Sequence, residues 1–92
     1  MRFDFDPRKS RRLKENPQRG IGFEEAQQIF ERPYYQDQRS DISEQYRAIG
    51  WVDDLLYALI FEIREDNEGE YYHLVTLRKA TREEENLYAE NI

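Results

Sequence analysis

Arg78, Lys79 and Arg82 place three cations within five consecutive positions near the end of the chain, and Glu62 closes an apolar run upstream of them. Arginine and carboxylate suffice for one metal-free reaction. RNA can be cut by its own 2′-hydroxyl, given a base for the hydroxyl, a cation for the developing charge and an acid for the leaving oxygen. Strict alternation over Tyr71–Arg78 puts Tyr72, Leu74, Thr76 and Arg78 on one face of a strand and Tyr71, His73, Val75 and Leu77 on the other. The other interpretation of Arg78 and Glu62 is a cross-strand salt bridge. Other chemistries are poorly provided for. The chain has a single histidine, His73, and no cysteine, and Glu83, Glu84 and Glu85 fan out around a helix rather than converge, which argues against a metal site. His73 lies in a strand, where a structural role is commoner than a catalytic one. Gly20-Ile21-Gly22 lacks the lysine and the strand context of a phosphate loop, and no nucleophile triad can be drawn.

The elements that must position these residues follow from local pattern. Phe3-Asp4-Phe5 alternates as a short strand does. Asp6 suits an N-cap and Pro7 the first helical position, so a helix runs from there to about Glu15 and breaks near Asn16-Pro17. Its only large apolar residue is Leu13, so it should lie on the surface and show its arginines. After a turn at Gly20–Gly22, Phe23, Ala26, Ile29 and Phe30 form one apolar stripe on a second helix, Phe23 to Glu31, ended by Pro33. A short edge strand is expected around Tyr34–Asp37, and a strand over Gln45–Trp51. A tight turn at Asp53-Asp54 leads into Leu55–Ile63, whose continuous apolar character marks a central strand covered on both faces. Glu65 to Gly69 reads as a longer hairpin loop, with Asn67 and Gly69 able to take positive φ. Tyr71–Arg78 is the partner strand. Thr81 and Glu84 make a capping box for a last helix to about Glu90, anchored by Leu87 and Tyr88. The fold class is α+β: a small, twisted, mainly antiparallel sheet with two N-terminal helices on one face and a C-terminal helix.

Ninety-two residues make one domain, with a stability of about 5 kcal/mol. The absence of cysteine fits a reducing compartment. The N-terminus lacks the apolar stretch of a signal peptide, and no run approaches a membrane span, so a cytoplasmic location is expected. A net charge of −6 argues against a generally nucleic-acid-binding surface, yet residues 1–20 hold seven Lys/Arg against three acids, +4, which leaves −10 for the rest. That basic end can bind phosphate or an acidic protein locally, or can be a solvated helix face. Tyr34, Tyr35, Tyr46, Tyr71 and Tyr72 are more aromatic tips than a small core needs, and they mark either a surface for a second chain or the rim of the sheet.

The motifs, in order, resemble those of the BrnT toxins. Phe5-Asp6-Pro7-Arg8-Lys9 is similar to their F-x-W-D-P-x-K opening. Gly22 to Phe30 is similar to their S-F-E-E-A-x-x-x-F helix, Ala48-Ile49-Gly50 to their A-I-G strand, and Leu55–Glu62 to a strand ending in glutamate. Arg78 to Glu85, followed by Tyr88, resembles the closing R-I-I-S-A-R-x-A-T-x-x-E-x-x-x-Y stretch. The resemblance implies a RelE-like fold, metal-independent endoribonuclease activity within a type II toxin–antitoxin pair, no cofactor, and two partners: RNA and a BrnA-like antitoxin. It implies a catalytic set of Arg78, Glu62 and Arg47, with Lys79, Arg82 and Lys9 contacting RNA. The chain departs from the family in three cations. The Lys-His pair after the first helix is replaced by Asn16 to Gly20, the E-R pair is Glu44-Gln45 with Arg47 two residues on, and His73 stands for the first arginine of the closing motif. A BrnT-like protein that has lost catalysis and keeps an antitoxin-binding role is the alternative.

Overall fold

The computed structural model describes residues 1–92. The chain runs β1 (Arg2–Asp4), α1 (Pro7–Glu15), α2 (Phe23–Ala26), β2 (Tyr35–Gln38), β3 (Gln45–Val52), β4 (Leu55–Asp66), β5 (Gly69–Lys79) and α3 (Arg82–Asn91). The five strands form one sheet in the order β1-β5-β4-β3-β2. All pairings are antiparallel except β1 with β5, which is parallel. The apolar run of β4 therefore lies at the centre, where both faces are covered over much of its length. No helix is long and apolar enough to cross a membrane.

Local chemistry accounts for the helix boundaries. Asp6 caps α1 through its carboxylate, which accepts from the Arg8 N–H at 2.9 Å, and Pro7 follows at the first turn. The buried Ser10 hydroxyl donates to Glu24 and accepts from the Phe23 N–H at 2.8 Å, tying α1 to the start of α2. The apolar stripe from Phe23 onwards is not one α-helix. It makes a single α turn and then tightens into a 3₁₀ helix over Gln27–Glu31, the usual way a short helix ends against a sheet. The β4–β5 hairpin is longer than alternation suggests. The strands pair out to Asp66 and Gly69, and of the two residues expected at positive φ only Gly69 has it, at 108°. Asp53, in the other turn, has φ 55°.

Helices lie on both faces of the sheet. On one, α1, α2 and the 3₁₀ helix cover Ala48, Val52, Tyr57, Leu59, Phe61, Leu74 and Leu77. Phe3, Phe30 and Tyr72 complete an aromatic cluster there, with Phe61 and Tyr72 centroids 4.6 Å apart. On the other, α3 covers Ile49, Leu56 and Ala58 through Leu87 and Tyr88. Tyr34, Tyr46 and Tyr72 pack against the larger core and Tyr35 against the smaller one, so only Tyr71 of the five tyrosines is left without a place in a core.

Strict alternation in β5 does not hold. Phe61 faces Leu74 but Ile60 faces Thr76, so Val75 is the extra residue of a β-bulge. Tyr72 and Leu74 consequently share a face with Leu77, while Thr76 and Arg78 share the opposite face with Tyr71 and His73. The bulge keeps Arg78 out of the larger core and turns it toward α3.

Candidate functional site

Arg78 stands opposite Ala58, and Arg47 opposite Ile60, on the α3 face of the sheet. They are brought together by one carboxylate. Glu84, only 3% exposed, accepts from both terminal nitrogens of Arg78, the Nη2 bond being 2.9 Å, and from Arg47 Nη1 at 3.3 Å. It also accepts from the Thr81 N–H at 3.0 Å, while Thr81 Oγ1 accepts from the Glu84 N–H, which completes the capping box of α3. Burial pushes the Glu84 carboxyl up, but Arg78, the Thr81 N–H and Arg47 outweigh it, and the group is held below its ordinary value. Arg47 is further gripped by Asp37 on the edge strand, Nε to Oδ1 at 3.0 Å and Nη2 to Oδ2 at 2.5 Å.

A polar concavity of about 480 Å³ opens beside this cluster. Ile60 and Thr76 line it on the sheet, with Arg39, Arg47 and Arg78 and the carboxylates of Asp37 and Asp41 around them. Three guanidiniums are balanced by Asp37, Asp41 and Glu84, so the site is near neutrality. The guanidiniums differ in what they have left to give. Arg47 gives three of its five N–H groups, one from each nitrogen, to Asp37 and Glu84. Arg78 uses its two terminal nitrogens on Glu84, leaves its Nε–H without a partner, and keeps 43% of its side chain exposed. One edge of it is held by Glu84 and another is open.

The remaining candidates do not converge on it. Glu62 pairs with His73, not Arg78, and lies four residues, roughly 13 Å, along β4 from the residue opposite Arg78. The Arg78–Glu62 salt bridge is absent because the register sets the two apart, and Glu84 pairs with the arginine instead. Glu62 instead binds Arg64 at 2.6 Å and accepts from Gln45 at 3.2 Å, and these two partners hold its carboxyl below the ordinary range. That makes it a weaker base than a free glutamate, whereas a general base works best near the operating pH. His73 is hydrogen-bonded to Asp4 across the parallel pair, with Nδ1 and Oδ2 2.7 Å apart. Arg82 is the exposed first residue of α3 and makes no ion pair. Lys79 ends β5 on the side of Tyr57, and Lys9 is half-buried on α1, so both belong to the opposite side of the sheet. No three of the His, Asp and Glu side chains are grouped to hold a metal ion.

Two partners escaped the sequence. Glu84 was visible as a cap residue and as one of three acids on the last helix but not as an arginine partner, because its arginines come from β3 and β5. Asp37, in a short polar edge strand, carried no signal at all. No protein-family model matches the chain, and no curated protein matches it.

Proposed function

We propose that this chain is a BrnT-like toxin with a RelE-like fold, a metal-independent endoribonuclease neutralised by a cognate antitoxin, and that the concavity beside Arg78 is where RNA phosphate is received. One observation carries the proposal: Arg78 is fixed by the buried Glu84, keeps its Nε–H unpaired, and lines a polar concavity together with Arg47 and Arg39. In that role Arg78 holds the scissile phosphate and stabilises the extra charge of the pentavalent transition state, and Glu84 fixes the guanidinium before substrate arrives. The expected consequence is growth arrest on induced expression, relieved by co-expression of the product of the adjacent reading frame. Purified protein should cleave RNA in the presence of a chelator, and Arg78→Ala should lower the rate about 100-fold, the usual effect of removing one charge stabiliser. Arg78→Lys should recover little, since a point charge cannot replace the planar fork. Cleavage undiminished in a folded Arg78→Ala variant would overturn the site.

A second function is favoured by a specific feature of the same geometry. Arg47 is already committed to two carboxylates, Asp37 and Glu84, and Glu62 is distant and already paired. A protein with that arrangement can bind an antitoxin without cutting RNA. Absence of both cleavage and growth arrest, with the neighbouring protein still bound, would identify it.

A further inference from the structure

We propose that the groove between the C-terminal half of α3 and the β3–β4 turn docks a basic amphipathic segment of a second protein. In the toxin–antitoxin pair that protein is the antitoxin, so the inference rests on that reading. The groove measures about 410 Å³ and is walled by Trp51, Leu55, Leu56, Tyr88 and Ala89. It shares no residue with the concavity at Arg78. Leu55 is 47% exposed although it opens the most apolar strand of the molecule. Ile92, 56% exposed, extends the apolar stripe of α3, since its N–H bonds the Tyr88 carbonyl one turn back. The walls are held in place: Trp51 and Tyr88 meet edge to face at 6.2 Å, and the Tyr88 hydroxyl donates to the Pro33 carbonyl at 2.9 Å. A preformed apolar slot of this kind takes the anchor side chains of an amphipathic segment.

The charge around the slot selects the occupant. Its two charged lining residues, Asp54 and Glu85, are both acidic, and no Lys or Arg lines it. A segment with apolar anchors and flanking Lys or Arg therefore matches it in both respects. A second copy of this chain does not match. A two-fold contact through the groove would set Asp54 and Glu85 against their own counterparts. The chain's own basic helix, α1, is no better suited, because its one large apolar residue, Leu13, is already in the core.

The test is co-expression and co-purification with the product of the adjacent reading frame, followed by titration of that protein onto wild type, Leu55→Glu, Glu85→Lys and Arg64→Ala. Circular dichroism checks that each variant folds, and the exposure of Leu55 and Glu85 makes both substitutions tolerable. Leu55→Glu should weaken binding by about 30-fold or more, the loss that marks a central anchor. Glu85→Lys should weaken it less, and added salt should weaken the wild type. Arg64→Ala, on the uncovered part of the sheet, should leave it unchanged. Binding that is unaffected by Leu55→Glu and Glu85→Lys would overturn the groove and leave the toxin–antitoxin pairing standing. A neighbour that does not bind the wild type at all would overturn the pairing and the groove with it.

Discussion

Glu84 joins two roles that sit far apart in the sequence. As the third helical residue it caps α3, and as a buried carboxylate it holds Arg78 and Arg47 side by side. The first role is written locally in Thr81-x-x-Glu84. The second depends on Arg47, thirty-seven positions away, and only the sheet register reveals it. Substitution should expose both. Glu84→Gln removes the charge while keeping the shape, leaving Arg78 without its counter-ion and Arg47 with Asp37 alone. Because both arginines retain some contact with water, the loss should be about 2–3 kcal/mol at neutral pH, below that of a fully buried pair. The sign of the pH dependence follows from the depressed carboxyl. Glu84 is ionised more readily folded than unfolded, so its contribution is complete above its ordinary value near 4.5 and disappears as pH falls through the lower folded-state value. Urea midpoints measured from pH 7 to pH 3 should show wild type and Glu84→Gln converging at the acid end. A gap that stays constant across that range would mean that the carboxylate's charge is not what stabilises the cluster.

At the level of elements, Gly50 shows how closely the helical layer approaches the sheet. A Cβ built there would lie 2.8 Å from Cγ2 of Ile29 in the 3₁₀ helix and 3.2 Å from Cβ of Tyr34 in the chain that leaves it. Ile29 is completely buried and cannot swing aside. Gly50→Ala should therefore cost about 1–3 kcal/mol through overpacking, and thermal unfolding would measure it. An unchanged midpoint would show that the layer can shift. The same layer explains what could be foreseen. The central position of β4 was legible because a strand covered on both faces loses its alternation, and Asp6-Pro7 and Thr81-x-x-Glu84 announced α1 and α3 by their capping chemistry. Two features were not legible. The α2 stripe fits α and 3₁₀ spacing equally well over so few turns, and packing against β3 decides between them. The bulge at Val75 has no glycine or proline to mark it, yet it shifts the phase of β5 so that Leu74 and Leu77 reach the same core and Arg78 faces α3. The candidate site was thus half visible: Arg78 and Arg47 could be named, while Asp37 and Glu84, which hold them, could not.

Across the whole molecule, two groups of cations are the alternatives for the RNA contact of the proposed function. One is α1, which carries Arg8, Lys9, Arg11, Arg12 and Lys14 and lies with the larger core. The other is the Arg39–Arg47–Arg78 group beside α3, on the opposite face of the sheet. The two differ in how they would answer to salt. The α1 surface has a large excess of positive charge and would bind a strand by releasing many counterions. The α3-side group is nearly balanced by Asp37, Asp41 and Glu84, and offers one or two phosphates a fixed, partly open guanidinium. For single strands the slope of log K against log salt is about −0.7 per phosphate neutralised. Binding of a short oligoribonucleotide at the Arg78 concavity should then show a shallow slope, about −0.7 to −1.4, and Arg78→Ala should reduce it by about 0.7. Binding through α1 would give a slope of roughly −3.5, with five cations engaged, and would not respond to Arg78. Arg11→Ala with Arg12→Ala should leave the shallow slope intact if the concavity is the contact. A steep slope that collapses in that double variant would move the RNA-binding surface to the other side of the sheet and remove the basis for placing catalysis at Arg78.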